Sequence, residues 1–276
     1  MPQIPEPNYD YDVKRIVTAY QKAVDNILLE LNRINLSDFS RANQLAVLKS
    51  IQEILGELDI DASTLVKTSI EKAASDGIAR AIVSLGIVNT VAEAETIVNF
   101  NRLNKELVQA IVADTQSDLL AVTQNVSKKV RATVRQVSAE VLRDSVTKGV
   151  NATASLRRDI VAELRKQLGE SVNTGIIDAA GRRWRPTVYC DMLVRTKMME
   201  AHKESTINEA IDRGVFYGVI SKHGAKDACK EYEGIIVKLT RDADGDYPFI
   251  GDLPRDKIFH PACKHLVSPI RNPERI

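Results

Sequence analysis

All three cysteines and all four histidines of the 276-residue sequence fall in its last third: Cys190, His202, His223, Cys229, His260, Cys263 and His265. Thiol and imidazole are the side chains that hold zinc, which takes four N or S ligands in a tetrahedron, commonly paired at short spacings. His260-x-x-Cys263 has the spacing of one half of such a set, and Cys229 with His223 offers the other. His265 is a further candidate. The same residues also read as the packing of a small core, since a free cysteine behaves as a buried apolar side chain. Cys190 reads as core alone. An odd cysteine count fits a reducing cytoplasm rather than a disulfide framework. The DADGD run from Asp242 to Asp246 begins like a calcium loop but lacks a glutamate at the twelfth place, and reads as a solvated turn.

A second chemistry is anion binding. The net charge of +1 conceals three regions. Residues 1–127 carry a net −6, residues 128–185 a net +7, and residues 186–276 none. The basic collar includes Lys128, Lys129, Arg131, Arg135, Arg157, Arg158, Arg182 and Arg183. Such a stretch meets phosphate or an acidic protein surface. A solvated helix face, with cationic stems lying over apolar neighbours, is the more ordinary origin of such a run. Asp191 and Arg195, four apart, suit an ion pair on one helix face. No nucleophile or base marks a catalytic site, and no phosphate-binding glycine loop or GxSxG appears.

Two kinds of chain position these residues. No proline occurs between Asn8 and Arg185, and no glycine between Ile87 and Lys148. PQIPEP at residues 2–7 forms an extended arm. Apolar residues at spacings of three and four predict a helix from about Tyr9 through Leu31. A second helix follows, capped by Ser37 or Ser40, and a third runs from near Asp61 to Leu85 with Gly86 as its C-cap. Thr90 and Glu93 have capping-box spacing. Asn104 to Lys148 has no helix breaker, with a break near Asp114–Asp118 as the alternative to a single rod. Val122, Val126, Val130, Val134, Val137 and Val141 stripe it at steps nearer an eleven-residue repeat than a heptad. Another helix spans about Ala152 to Leu168. Narrow aliphatic stripes suit packing in a bundle and docking on partner helices, so self-association is expected.

From Gly175 onward the pattern changes. GIIDAAGRRW reads as strand and turn, Pro186 opens a helix that Gly214 ends, and VFYGVIS and IIVKL have strand character. The fold class predicted is mainly α: an elongated N-terminal helical region with long helices plus a small C-terminal α+β module. The boundaries are 1–8 for the arm, 9–174 for the helical assembly region and 175–276 for the module. No apolar stretch is long enough for a membrane span, and the first fifteen residues lack the apolar run of a secretory leader.

The module carries a resemblance. DAAGRRW, YCDMLVRT, VISKH, CKEYEG, a Tyr247-Pro248 pair and FHPACKH occur in that order between Gly175 and Ile270. Together they resemble the minor capsid proteins of tailed bacteriophages, the MuF-type head-morphogenesis family. The resemblance implies a structural virion protein, not an enzyme, located in the head near the portal or the capsid interior. It would stay in the host cytoplasm during assembly and act in head assembly and DNA packaging or delivery. The implied partners are the portal protein or the major capsid protein, with packaged double-stranded DNA a further one. The alternatives are a helical nucleic-acid-binding protein using the 128–185 collar, or an enzyme of the toxin type sometimes joined to such domains. The family pattern often shows C-x-x-C before H-P-x-C, like a zinc set. Here Lys226 stands where the first cysteine of the pair would fall. The expectation is therefore no cofactor, with zinc at His223, Cys229, His260 and Cys263 as the alternative.

Overall fold

The computed structural model describes residues 4–34, 41–147, 154–173, 176–177 and 181–275; within these, the side chains of 141, 142, 144–147, 154–161 and 164 lie outside the description. The chain is mainly α. Six α-helices are described: α1 (Asp10–Asn32), α2 (Arg41–Ser84), α3 (Val91–Ile97), α4 (Arg102–Thr147), α5 (Ala154–Asn173) and α6 (Pro186–Asp212). Strands are few and short: β1 (Ile176–Ile177) pairs antiparallel with β2 (Arg183–Trp184), and β3 (Tyr217–Ile220) lies between β4 (Ile236–Lys238) and β5 (Val267–Ile270), antiparallel to both.

One difference from the sequence reading concerns helix continuity. The helices expected on either side of Asp61 are one, α2, of 44 residues. α4 is the single helix that the absence of a breaker predicts, 46 residues with no break at Asp114–Asp118, about 70 Å at the ordinary rise per residue. The caps behave as their residues dictate. Gly86 takes φ 69°, its N–H bonds Val83 O, and Ile87 N–H reaches Ile82 O, the paired bonds of a left-handed C-terminal cap. Thr90 and Glu93 exchange the two capping-box bonds at the start of α3. The Ser37 and Ser40 caps fall outside the described residues.

The described residues form two compact units, each drawn from separated stretches of chain. One unit comprises Lys14–Leu65 and the described residues of Gln116–Asp191. Its core is aliphatic. Ile16, Tyr20, Val24, Ile27 and Leu31 of α1 are buried, as are Ile51, Leu55 and Leu58 of α2 and Val122, Val126, Val130, Val134 and Val137 of α4. Cys190 is fully buried in this unit. Tyr20 closes its one polar end by donating to Leu119 O at 3.2 Å.

The other unit joins the described residues up to Val13 with Val66–Thr115 and those from Met192 onward. Arg80 holds the arm here, donating to Pro5 O at 3.3 Å and to Ser268 Oγ at 3.2 Å. Arg195 bonds Asp10 at 2.6 Å, a partner far away in sequence. Tyr9 Oη and His202 Nδ1 lie 2.9 Å apart, while His202 Nε2 is buried with no hydrogen-bond partner. Burial first, and then the charge of Arg80, pushes the His202 imidazolium down to about 3.

That depression has a sign. The unfolded chain takes up a proton near pH 6.5, and the folded one refuses it until about 3. Stability from His202 is therefore complete above pH 6.5 and lost as the pH falls toward 3. The His202 share of the loss between pH 7 and 5 is about 2 kcal/mol. Asp76, raised by burial in the same network, acts in the opposite direction. Urea unfolding at both pH values, in the natural chain and in His202→Gln, isolates the histidine share as the difference in slope.

Candidate metal centre in the C-terminal module

The strands of the module place two irregular segments together. After β3 the chain turns at Ser221–Ala225 and enters a 3₁₀ turn, Ala228–Tyr232. Asp227 caps that turn by accepting from Cys229 N–H at 3.1 Å, which fixes the start of the turn bearing the Cys229 thiol. The second segment leads into β5. There Cys263 N–H bonds His260 O at 2.9 Å, closing a turn with Pro261 at its second place and Ala262 at its third. Ala262 has φ 63°, the sign a type II turn requires, and Phe259 just before the turn has φ 58°. Left-handed backbone at two non-glycine residues costs of order 1–2 kcal/mol each, so the surrounding structure is holding His260 and Cys263 in this presentation.

Cys229 Sγ lies 3.0 Å from His260 Nε2 and 3.7 Å from Cys263 Sγ. Cys263 Sγ in turn lies 3.3 Å from His265 Nδ1. The three sulfur and nitrogen atoms of Cys229, His260 and Cys263 are all within 4.8 Å of one another. The sulfur separation is too long for a disulfide, which needs about 2.05 Å. It matches the edge of a tetrahedron with zinc–sulfur bonds of about 2.3 Å, roughly 3.8 Å. A cavity of about 240 Å³, lined in part by Lys226, Asp227 and His223, gives access to the cluster. Burial first, and then the neighbouring Cys263 thiol, raises the Cys229 thiol above its ordinary range. A bound cation reverses that by favouring thiolate.

The sequence-selected residues divide between two clusters. Cys229, His260 and Cys263 come together, whereas His223 groups with Glu233 and His265. The His223 and His265 rings are 4.1 Å apart at their centroids. Glu233 was not singled out by sequence, although its place before Gly234, a turn residue with φ 77°, is the signal that marks a fixed carboxylate. Its Oε1 accepts from Ala225 N–H and His223 N–H, both at 2.9 Å, and these bonds hold its carboxyl down at about 2.

The collar residues lie on the second half of α4, on α5, and at and just before β2. Lys128, Arg135, Arg182 and Arg183 are exposed, and Lys129 and Arg131 half-buried. Arg157 and Arg158 have side chains outside the described residues. Burial, and then the charge of Arg183, lowers the Lys129 ammonium below its usual range. Arg182 lies over the Trp184 ring at 5.4 Å.

Comparison with known families decides the identity. The family model described as phage minor capsid protein 2 matches residues 13–270, from α1 to β5. The chain belongs to this family. As a phage minor capsid protein it is a structural component of the virion, and its family implies contacts with other virion proteins. The match covers the helical region as well as the module, where the sequence motifs alone had covered only the latter. No curated protein and no solved structure matches the chain. No helix among the described residues of this minor capsid protein is long and apolar enough to cross a membrane.

Proposed function

We propose that this minor capsid protein sits at the portal vertex or on the inner capsid surface and acts in head assembly and in DNA packaging or delivery. The observation that carries this reading is the family match running through both the long helices and the module. The helices are the contact region. Leu29 of α1 and Leu45 and Ile60 of α2 are more than half exposed, available to partner helices of the portal or the shell. The module is MuF-like and reinforced by zinc, held by Cys229, His260 and Cys263, whose donor types and spacing fit a tetrahedral ion. Zinc there supplies a cross-link between two irregular segments rather than a reaction. Heads purified through a density gradient should retain the protein at low copy number. Its presence free in the infected cell and absence from particles would overturn this reading.

The collar supports a further contact with packaged DNA, carried by the net +7 of residues 128–185 and the exposure of Lys128, Arg135, Arg182 and Arg183. Double-stranded DNA binding should fall steeply with salt, and the variant Lys129→Ala/Arg183→Ala should lower the log–log slope by about 2, one for each phosphate that is no longer neutralised. A natural chain whose binding does not respond to salt would remove the DNA contact and leave the assembly role standing.

A further inference from the structure

We infer that His265, through Nδ1, is the fourth ligand of the ion held by Cys229, His260 and Cys263, and that Glu233 is the carboxylate that orients it. This rests on the zinc reading proposed above. It replaces His223 in the ligand set.

The tautomers carry the argument. In a neutral imidazole one nitrogen bears the proton and the other a lone pair, and the hydrogen bond made by the first decides which is which. His260 Nδ1 lies 3.0 Å from Pro261 O, an acceptor only, so Nδ1 bears the proton. The lone pair is left on Nε2, the atom 3.0 Å from Cys229 Sγ; Asp227 Oδ2 also faces Nε2, at 3.4 Å, farther than Pro261 O is from Nδ1. His265 repeats this logic in mirror form. Its Nε2 is buried and faces Glu233 Oε1 at 3.5 Å. Glu233 Oε1 acts as an acceptor toward two backbone N–H groups, so the proton belongs on Nε2 and the lone pair on Nδ1, the atom 3.3 Å from Cys263 Sγ. Both rings thus have an acceptor on their protonated side and a thiol on their lone-pair side. Ligating histidines show this arrangement almost always, with a carboxylate or carbonyl behind the ring.

The alternatives fit less well. His223 is exposed, whereas His265 is buried with Nδ1 3.3 Å from Cys263 Sγ. Nor is the His223, Glu233 and His265 group a second centre. Glu233 Oε1 already accepts two backbone N–H bonds at 2.9 Å, which makes it a fixed support for the His265 ring. His265 is 3% exposed, so its ring is positioned by packing, with Nδ1 on the side of the Cys263 thiol. Two thiolates and two imidazoles select zinc among the common divalent ions through donor softness and tetrahedral geometry.

The test uses the full chain with Co²⁺ as a spectroscopic substitute and Zn²⁺ as competitor. The natural chain should bind one ion, with a thiolate-to-cobalt charge-transfer band and the intense visible bands of a tetrahedral site. His265→Ala should lose the tetrahedral spectrum and bind at least 100-fold more weakly. Glu233→Gln should weaken binding about 10–100-fold. His223→Ala should bind as the natural chain does. Nitrogen-15 histidine spectra of the zinc-loaded natural chain need no variant, and should show His265 bound through Nδ1 and protonated at Nε2. Loss of metal in His223→Ala with retention in His265→Ala, or an unbound His265 Nδ1 in the loaded chain, would overturn the assignment of His265. A natural chain that takes up neither ion would overturn the zinc reading itself.

Discussion

Gly77→Ala is expected to destabilise the protein by about 3 kcal/mol. A Cβ built at Gly77 would stand 2.1 Å from His202 O and 2.9 Å from His202 C, both backbone atoms of α6. Side chains yield by rotating, but a carbonyl inside a helix yields only if the helix moves. Here Thr206 Oγ1 lies 2.9 Å from Gly77 O and 2.8 Å from His202 O, so the close approach of α2 and α6 is also a hydrogen-bonded one. Separating the helices would leave the buried Gly77 carbonyl without that donor. Gly56 on the same helix provides the control, because nothing lies within 4 Å of a Cβ placed there. Gly56→Ala should stabilise by up to about 1 kcal/mol through helix propensity alone. Urea unfolding of the two variants should move in opposite directions. Equal stabilisation by both would show that α2 and α6 do not approach at Gly77.

The same contact shows what the sequence could convey and what it could not. The stripe from Val122 to Val137 is a local pattern, and all five valines are buried. Gly86, Gly214 and the Thr90–Glu93 box are local too, and each ends or starts a helix as its residue type dictates. Gly77 is indistinguishable in sequence from Gly56, since only the neighbouring backbone separates them. The continuity of α2 was hidden for a related reason. Asp59, Asp61 and Ser63 look like a helix start, yet Asp59 accepts from Thr123 at 2.9 Å and Ser63 Oγ accepts from Gln116 at 2.6 Å. Partners on α4 use these polar groups, so the helix passes through them. β5 was hidden by Pro269, which is tolerated because β5 is an edge strand of its sheet.

At the candidate centre, spacing pointed to His260 and Cys263, and the types of the remaining residues pointed to Cys229. Spacing said nothing of ring orientation. The register of β5 against β3, Val267 opposite Ile220, sets where the residues just before β5 sit beside those just after β3. That brings His265 beside Cys263 and in front of Glu233. His265 is one candidate among several in the sequence, and only the pairing of the strands sets it apart from His223.

Removal of the ion is expected to have the second large effect, confined to the module. Between Lys238 and Val267 the chain forms no strand and crosses the module through short turns, with Ile250, Ile258 and Cys263 as its buried apolar anchors. An ion tying Cys229 of one irregular segment to His260 and Cys263 of another supplies a cross-link that this small core lacks. Its contribution follows mass action: about 4 kcal/mol when free zinc is held at 1,000 times the dissociation constant. A chelator added to zinc-loaded protein should therefore speed amide exchange by about 1,000-fold in residues 227–233 and 258–265, provided their opening runs through loss of the ion. Amides in the buried stripe of α4 should keep their protection, because that helix stretch is packed by valines and has no part in the cluster. Cys229→Ser combined with Cys263→Ser should reproduce the effect without chelator and abolish any response to zinc. Unchanged exchange after complete removal of the metal would show that the turn around Pro261 is held by its own packing and hydrogen bonds, with the ion adding nothing to the fold.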